Sequence, residues 1–230
     1  MEYRYLIFDF DGVLAESNDI RFRGFEDLFP DLSADVRVRF LEFVKANGGL
    51  SRYGKIRHLY EDMLGQSISE DRVNELAGRY SELVAGCVIA AAAVPGSLEF
   101  LREYADRFDF AVVSGSDQNE LRQVCRARGI DGYFCAILGS PKEKTHNLIE
   151  LMGSHGWDCQ ACVYVGDSLN DSDAAAEAGI DFVGRNSGLV DWVSRGIIGI
   201  DDLHALPAAI AQLSDCRRPR ANGAGRKDRI

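Results

Sequence analysis

Tyr5-Leu6-Ile7-Phe8-Asp9-Phe10-Asp11-Gly12-Val13-Leu14 is an apolar stretch interrupted by two carboxylates and a glycine. Its apolar start and the turn signal at Gly12 predict a short strand that is buried on both faces, as in a parallel sheet. In open parallel sheets, ligands bind outside the carboxyl ends of the strands, which is where Asp9 and Asp11 are expected. Side chains two residues apart on a strand point the same way. We therefore expect both carboxylates to face one pocket, where a divalent cation, a cationic side chain or a shared proton offsets their repulsion.

The length and composition are those of an ordinary globular chain. The sequence has 230 residues, of which 46% are hydrophobic and 27% charged, and its formal net charge is -10. This charge disfavours nucleic acids and anionic membranes as main partners, although a local cationic pocket can still bind an anionic metabolite. The sequence shows neither a basic region followed by an apolar signal at its N-terminus nor an apolar run of membrane-spanning length. We therefore expect a cytoplasmic protein without a membrane partner.

The spacing of apolar residues divides the chain into two kinds of structure. Between residues 17 and 89 the spacing is helical, with breaks at Pro30 and Asn47-Gly48-Gly49 and a helix start near Ser69, which predicts a self-contained four-helix bundle. From Pro95-Gly96 onward, strands and helices alternate, which predicts an α/β fold with a doubly wound parallel sheet. Within this part, Ser116 is predicted to cap one helix.

These patterns predict a core formed by residues 1–16 and 90–215, with an inserted helical cap at residues 17–89. The segment Ser140-Pro141-Lys142-Glu143 is expected to form a capping box that begins a helix of the core. Residues 216–230 are rich in glycine and basic residues and contain almost nothing apolar. We predict that they form a disordered tail.

Three further segments place polar residues at predicted strand ends or helix starts. Ser114-Gly115 offers a hydroxyl and backbone N–H groups to a phosphoryl oxygen, although a plain helix cap is the simpler interpretation. The segment 139–144 contains Lys142 and Lys144, either of which could be solvated helix surface. Asp167 ends another predicted strand, and Asp171 lies about one helical turn later on the same side.

Together with the first stretch, these segments resemble, in order, the four motifs of the haloacid dehalogenase (HAD) superfamily. Asp9-Phe10-Asp11-Gly12 resembles the first motif and Ser114-Gly115 the second. Residues 139–144 are similar to G-x-P-x-x-K, which favours Lys144 over Lys142, and residues 166–171 are similar to G-D-S-x-x-D. The helical insert resembles the C1 cap of the branch that contains phosphoglycolate phosphatases and β-phosphoglucomutases.

The resemblance implies a phosphoric monoester hydrolase whose partner is a small phosphorylated metabolite, either a sugar phosphate or a phosphoglycolate-like compound. It implies that Asp9 attacks phosphorus and forms an aspartyl phosphate. Asp11 is expected to protonate the leaving oxygen and then to activate the hydrolytic water.

The same resemblance implies a magnesium cofactor and a cradle for the phosphate. Mg²⁺ would be held by the Asp9 carboxylate, the Asp11 backbone carbonyl and Asp167, with Asp171 binding directly or through water. The phosphate would be held by Ser114, Gly115 and Lys144.

Four other functions occur on the same scaffold or would show similar motifs. Dehalogenases of the superfamily lack the second aspartate, so Asp11 argues against them. Phosphonoacetaldehyde hydrolases use a cap lysine, for which Lys55 is the candidate, but they lack an acid at the Asp11 position. Sugar phosphomutases resemble residues 49–52, where a cap arginine binds a second phosphate, but they have a histidine where Arg21 stands. An inactive binding protein is expected to have damaged motifs, whereas the motifs here are complete.

The cap loop is the expected source of substrate selectivity. Paired glycines at Asn47-Gly48-Gly49 allow a sharp turn and a close approach to a ligand, and Arg52, Lys55 and Arg57 follow. We expect Arg52 to contact the distal part of an anionic or polyhydroxylated substrate. The alternative is that all three cations lie on a solvated helix face. The role of Glu16, where many relatives have aspartate, is open.

Overall fold

The computed structural model describes residues 2–217, which form a parallel sheet with helices around it. The strands are β1 (Tyr5–Phe8), β2 (Asp109–Asp117), β3 (Phe134–Ser140), β4 (Cys162–Gly166), β5 (Asp181–Arg185) and β6 (Gly199–Ile200). The first helices are α1 (Asn18–Leu28), α2 (Ala34–Ala46), α3 (Arg52–His58), which continues into a π-helical turn at Leu59–Met63, and α4 (Glu70–Ala90). The later helices are α5 (Ser97–Tyr104), α6 (Gln118–Ala127), α7 (Lys144–His155), α8 (Leu169–Ala178) and α9 (Leu206–Arg217).

The strand order confirms the predicted doubly wound fold. Across the described residues the order is β3-β2-β1-β4-β5-β6, and every neighbouring pair is parallel. The chain therefore builds outward from β1 on one side and then returns to add β4 on the other. The point between β1 and β4 is the topological switch point, where open α/β sheets bind ligands.

Both faces of β1 are covered, which explains its continuous apolar sequence. Leu6 and Phe8 belong to one hydrophobic cluster, and Ile7 belongs to another on the opposite face. All three side chains are completely buried. Phe8 meets Phe110 of β2 edge to face, with ring centroids 5.7 Å apart. A strand packed on two sides has no solvent-facing position that would call for a polar residue.

Helices α1 to α4 lie between β1 and α5 in the chain and pack on one another through aromatic rings. Phe25 of α1 lies 4.4 Å from Tyr80 of α4 and 5.8 Å from Phe40 of α2, measured between ring centroids. The segments that enter and leave this helical block pair with each other, because the Glu16 N–H donates to the Ala92 carbonyl at 2.9 Å. The division into a core and a cap domain at residues 17–89 stays a prediction.

Two predicted helix starts in the core are wrong. Strand β2 continues through Ser116, and the carboxylate of Asp117 instead accepts the first N–H groups of α6 at 3.0 Å. Ser140 is the last residue of β3 and pairs with Asp117, so the expected capping box does not form there. Helix α7 begins at Lys144, after Glu143. In both cases strand pairing keeps the backbone extended for longer than the local capping signals indicate.

The C-terminal part of the described chain completes the sheet edge. Trp192 is fully buried, and its indole N–H donates to the Arg185 carbonyl at 2.9 Å. Cys216 and Arg217 belong to α9, so the predicted tail starts too early, and its remaining residues lie outside the described range. No helix within residues 2–217 combines the length and the apolar character that a membrane crossing requires.

Candidate active site

Five of the predicted residues lie together in one buried cluster at the carboxyl ends of the central strands. Asp9 follows β1, Ser114 lies near the end of β2 and Asp167 follows β4, while Lys144 and Asp171 lie in the first turns of α7 and α8. All five are buried. Residues separated by up to 162 positions in the sequence thus meet at the switch point of the sheet, because parallel strands end on the same edge.

Lys144 is the cation at the centre of this cluster. Its Nζ lies 3.2 Å from Asp9 Oδ2 and also forms an ion pair with Asp171 Oδ1. Burial alone would lower the pKa of Lys144, but attraction by Asp171 and Asp9 outweighs it and raises the pKa above its ordinary value. Lys142 is exposed and pairs with Glu150 at the surface. The geometry therefore places Lys144, and not Lys142, beside the carboxylates.

Asp171 is a completely buried hub of hydrogen bonds. Its Oδ1 accepts from Lys144 and from the Tyr164 hydroxyl at 2.7 Å. Its Oδ2 accepts from the backbone N–H of Ser168 at 3.0 Å and from the Ser168 hydroxyl at 2.6 Å, which completes a capping box at the start of α8. Both oxygens are thus already engaged, which suits a residue that fixes Lys144 and the helix start.

Asp167 lies against the turn that carries the first motif. The Asn18 side-chain amide donates to Asp167 Oδ2 at 2.6 Å. Gly12 has a φ of +74°, and a Cβ at this position would lie only 2.0 Å from Asp167 Oδ2. Glycine is required here both for the backbone conformation and for the close approach of the carboxylate.

The residues present fit a magnesium ion. One carboxylate oxygen from each of Asp9, Asp167 and Asp171 lies within 4.8 Å of the others, and Asp9 Oδ1 is buried without a hydrogen-bond partner. Burial raises the pKa of Asp9 and of Asp167, and neighbouring carboxylates add to both shifts; Lys144 offsets the shifts only in part. An all-oxygen site with uncompensated negative charge is the kind that Mg²⁺ prefers. Because both Asp171 oxygens are engaged, contact through water suits Asp171 better than direct ligation.

Asp11 has different surroundings from Asp9. Its Oδ1 accepts from Arg21 Nε at 2.9 Å and from the Ser17 hydroxyl at 2.5 Å, and its Oδ2 accepts from the Ser116 hydroxyl at 2.7 Å. Burial would raise the pKa of Asp11, but the charge of Arg21 and these hydrogen bonds outweigh it and lower the pKa. Among the protein groups alone, therefore, Asp11 is the carboxylate held ionised and Asp9 is the one that favours a proton.

This order is the reverse of what a nucleophile and an acid need at the start of a phosphoryl transfer. A divalent cation beside Asp9 favours its ionised form, since a nearby positive charge lowers a carboxyl pKa. A phosphate dianion near Asp11 acts in the opposite direction and favours the protonated acid. The two expected roles therefore depend on the charges that ligands bring to the site.

The second motif lies under the cap loop. Ser114 Oγ accepts from the Ser116 N–H at 3.2 Å, and neither residue caps α6, so the plain helix-cap interpretation is wrong. A Cβ at Gly115 would lie 2.5 Å from the carbonyl oxygen of Gly49. The cap loop thus approaches the strand end so closely that a side chain at Gly115 would push it away.

Two of the three cap cations are buried in the cleft instead of lying on a solvated helix face. Arg52 and Lys55 are each 4% exposed, and both line the same cleft as Asp9 and Asp11. Arg52 pairs with Glu120 at 2.5 Å, and its guanidinium lies 4.6 Å from the centroid of the Tyr80 ring.

Lys55 and Arg57 differ in their surroundings. Lys55 Nζ donates to the Gly48 carbonyl at 2.9 Å, and burial lowers the pKa of Lys55 to about 7. Arg57 pairs with the exposed Glu70 at 2.6 Å, so the surface interpretation holds for Arg57 alone.

Several residues of the site carry no motif signal. Glu120 is buried on α6 and accepts from both Arg21 and Arg52, although one glutamate in an amphipathic helix looks like ordinary surface. Arg185, at the end of β5, forms a bidentate ion pair with Glu16 and donates to the Gly12 carbonyl at 3.2 Å. Glu16 therefore holds Arg185 against the turn of the first motif. This role could not be found from the motif, because Arg185 lies 169 residues away in the sequence.

Comparison with known proteins identifies the family. The sequence profile of the haloacid dehalogenase-like hydrolases matches residues 6–185. The chain belongs to this family. Its match includes all four motif segments described above, whose residues meet at the carboxyl ends of β1, β2 and β4.

Curated relatives and solved structures extend this result. The chain is 26% identical to the phosphoglycolate phosphatase of Pasteurella multocida and 28% identical to that of Mannheimia succiniciproducens, over 81% of this chain and 87% of each relative. A hydrolase from Pseudomonas syringae matches with a TM-score of 0.72 and 17% identity, over 91% of this chain and 99% of that one. A predicted phosphatase from Clostridium acetobutylicum matches with a TM-score of 0.74 and 16% identity, over 92% and 100%. The two structures show the shared fold.

Proposed function

We propose that this chain is a Mg²⁺-dependent phosphatase that hydrolyses a small phosphate monoester through an aspartyl phosphate on Asp9. The observation that carries the proposal is the buried cluster of Asp9, Lys144, Asp167 and Asp171, in which Asp9 Oδ1 has no hydrogen-bond partner. A carboxylate oxygen that is free, next to a lysine and at the ligand-binding edge of the sheet suits attack on a phosphoryl group. The phosphoglycolate phosphatases that it resembles support the same class of reaction.

The first half-reaction transfers the phosphoryl group to the protein. Asp9 Oδ1 forms a bond to phosphorus while the bond from phosphorus to the leaving oxygen breaks, and Asp11 gives its proton to that oxygen. Lys144 Nζ offsets charge on the nonbridging oxygens, and Ser114 with the N–H groups around Gly115 offers hydrogen bonds to them. Bound Mg²⁺, held by Asp9, Asp167 and the Asp11 carbonyl, would supply further positive charge for the phosphate.

The second half-reaction releases phosphate. Asp11, now a carboxylate, takes a proton from water, and that water attacks the phosphorus of the aspartyl phosphate. The bond from phosphorus to Asp9 breaks, which restores the carboxylate and yields inorganic phosphate. Arg21 and the Ser17 and Ser116 hydroxyls hold the Asp11 carboxylate in position for this step.

The cap supplies contacts to the rest of the substrate. Arg52 lines the cleft together with Asp9 and Asp11, and its Nε is buried without a partner. We propose that Arg52 donates to the distal part of the ester, which helps to close the cap and orient the phosphate.

Turnover of a generic aryl phosphate tests the proposed reaction. With Mg²⁺, the wild-type protein is expected to hydrolyse p-nitrophenyl phosphate, and EDTA is expected to abolish this activity reversibly. Asp9→Asn should remove turnover, whereas Lys142→Ala, which changes a surface lysine of the same motif segment, should not. Full activity after rigorous chelation would refute the metal requirement, and near-normal turnover by Asp9→Asn would refute the nucleophile.

One observation favours a second function, hydrolysis of a carbon–phosphorus bond through a Schiff base on Lys55. Lys55 is buried in the cleft, and burial lowers its pKa to about 7, which leaves a large neutral fraction at neutral pH. Against this function stands Asp11, because phosphonoacetaldehyde hydrolases lack an acid at this position. Incubation with phosphonoacetaldehyde and borohydride decides: a covalent adduct on Lys55 with loss of activity would favour this function, and its absence would exclude it.

A further inference from the structure

Arg185 holds both ends of residues 12–16, which we call the first-motif turn. It lies at the end of β5, outside the four motif segments, and is 7% exposed. Its Nη1 donates to the Gly12 carbonyl at 3.2 Å and to Glu16 Oε2 at 3.0 Å, and its Nη2 donates to Glu16 Oε1. Its Nε donates to the Asp201 carbonyl at 3.2 Å. The guanidinium thus connects the first-motif turn to the far side of the sheet.

The first-motif turn fixes the direction of the Asp11 carbonyl, which is one of the proposed magnesium ligands. The Gly12 N–H donates to the Ala15 carbonyl at 2.8 Å. Because the peptide between Asp11 and Gly12 is planar and trans, its carbonyl points away from this N–H. The Asp11 carbonyl accepts none of the backbone hydrogen bonds that the described residues form around the turn. The turn therefore orients this oxygen without using it.

The same turn also touches Asp167, a second proposed ligand. A Cβ at Gly12 would lie 2.0 Å from Asp167 Oδ2, so the turn and this carboxylate are in close contact. Asn18, at the start of α1, donates to the same oxygen at 2.6 Å. A shift of the first-motif turn would therefore displace two proposed metal ligands together, the Asp11 carbonyl and Asp167.

We propose that Arg185, paired with Glu16, is a positioning residue for the magnesium site, because it holds the first-motif turn in the shape that places these two ligands. This inference rests on the proposed phosphatase function. Groups that orient metal ligands from outside typically contribute about 10- to 100-fold to metal affinity. Without Arg185, the turn would have to be ordered when the ion binds, and this ordering would lower the affinity.

The charge of Arg185 makes its role distinguishable from plain electrostatics. Arg185 is a cation, so by Coulomb repulsion alone its removal would strengthen the binding of a divalent cation nearby. The loss of a residue that positions the ligands would weaken binding. The two effects of Arg185→Met therefore have opposite signs, and the sign of the change in affinity decides between them.

Isothermal titration calorimetry of Mg²⁺ into the metal-free protein measures this affinity without turnover. Arg185→Met is expected to raise the Kd for Mg²⁺ by at least about tenfold over the wild type. The matched control is Arg72→Met, which removes an arginine from an exposed ion pair with Glu75 on α4 and should leave the Kd unchanged. An unchanged or lower Kd in Arg185→Met would overturn the inference.

Arg185→Lys keeps the inference testable if Arg185→Met fails to fold. Lysine keeps the positive charge but cannot form the bidentate pair with Glu16. The Kd for Mg²⁺ is again expected to rise, although by less than in Arg185→Met. A role of the charge alone predicts no change in this variant, so a wild-type Kd would refute the positioning role.

The Mg²⁺ dependence of turnover gives a readout that a general loss of stability would not reproduce. With p-nitrophenyl phosphate, Arg185→Met should need about tenfold more Mg²⁺ for its half-maximal rate and should approach the wild-type kcat at saturating Mg²⁺. A lower kcat with an unchanged half-saturating concentration of Mg²⁺ would contradict the inference.

The outcomes distinguish the inference from the proposed function. A wild-type protein that neither binds Mg²⁺ nor turns over p-nitrophenyl phosphate would refute both. A wild-type protein that does both, with the same Kd for Mg²⁺ in Arg185→Met, would leave the phosphatase in place and refute only the role of Arg185.

Discussion

Replacing Asp171 by asparagine should destabilise the protein strongly, although the two side chains have nearly the same shape. Asp171 is completely buried and accepts hydrogen bonds from Lys144, Tyr164 and twice from Ser168. An amide has one acceptor oxygen, and each carboxylate oxygen accepts from two donors, so two of these donors would face an NH₂ group. Lys144 would also lose a charged partner and keep Asp9 as its remaining carboxylate.

The magnitude follows from the balance of two effects. Removing one partner of a buried ion pair costs about 3–5 kcal/mol. The loss of a carboxylate also relieves repulsion that raises the pKa of Asp9 and of Asp167, which offsets part of this cost. We therefore expect the lower value, about 3 kcal/mol, which corresponds to a fall in Tm of about 6–12 °C for a chain of this size.

Thermal and urea unfolding without added divalent cation measure this effect. The matched control is Asp173→Asn on the same helix, whose side chain is exposed and whose change should stay within about 0.5 kcal/mol. A Tm of Asp171→Asn equal to that of the control would refute the reasoning, because it would show that Lys144 does not depend on this carboxylate in the folded protein.

Three further predictions concern charge and closure. Without divalent cations, the free energy of unfolding should fall as the pH rises from about 4 towards 8. The raised pKa values of about 8 for Asp9 and about 7 for Asp167 make the folded state bind more protons than the unfolded state over this range. Mg²⁺ should flatten this slope in thermal melts. Arg52→Ala should lower kcat/KM for the true substrate by about 10- to 100-fold, as expected for the loss of a hydrogen bond from a charged group. It should leave kcat/KM for p-nitrophenyl phosphate unchanged. Equal losses on both substrates would indicate a folding effect. Gly115→Val should lower kcat on every substrate by a factor on the order of 100, because its side chain would collide with the cap loop. Gly78→Ala should not lower kcat, because a Cβ added at Gly78 has no neighbouring group within 4 Å.

The sheet and its ligand-binding edge could be predicted from the sequence because their signals are local. The apolar run of β1 ends at Asp9, and β4 ends before Asp167, so the side chains that follow the strands lie where the parallel topology brings the strand ends together. The start of α4 at Ser69 follows equally local rules, because its side chain accepts from the Arg72 N–H.

Element boundaries near the site could not be predicted, because pairing between strands overrides local capping signals. Ser116 precedes a helix and looks like its cap, but β2 pairs with β3 as far as Asp117, which takes the capping role. Ser140 is drawn into the same pairing. A single sequence shows a residue's own preference and does not show which distant strand holds its backbone.

The burial of the charged cap residues could not be predicted from the sequence either. Arg52 and Lys55 have the spacing of solvated helix residues, and their burial depends on how the cap lies against the core. Glu120 is separated from Arg21 by 99 residues and from Arg52 by 68. A long-range ion pair leaves no periodic pattern in the sequence, so the contacts of Glu120 could be found only in the structure.

Direct detection of the covalent intermediate tests the central mechanism most closely. Asp11→Asn keeps the nucleophile but loses proton transfer, which is worth about 10² to 10⁴ in rate, so the phosphoenzyme should accumulate with an activated substrate such as p-nitrophenyl phosphate. Acid quenching, digestion and mass spectrometry should find one phosphoryl group on the peptide that contains Asp9, and the double variant Asp9→Asn, Asp11→Asn should carry none. A phosphoryl group on another residue, or turnover by Asp9→Asn without any labelled peptide, would contradict the mechanism.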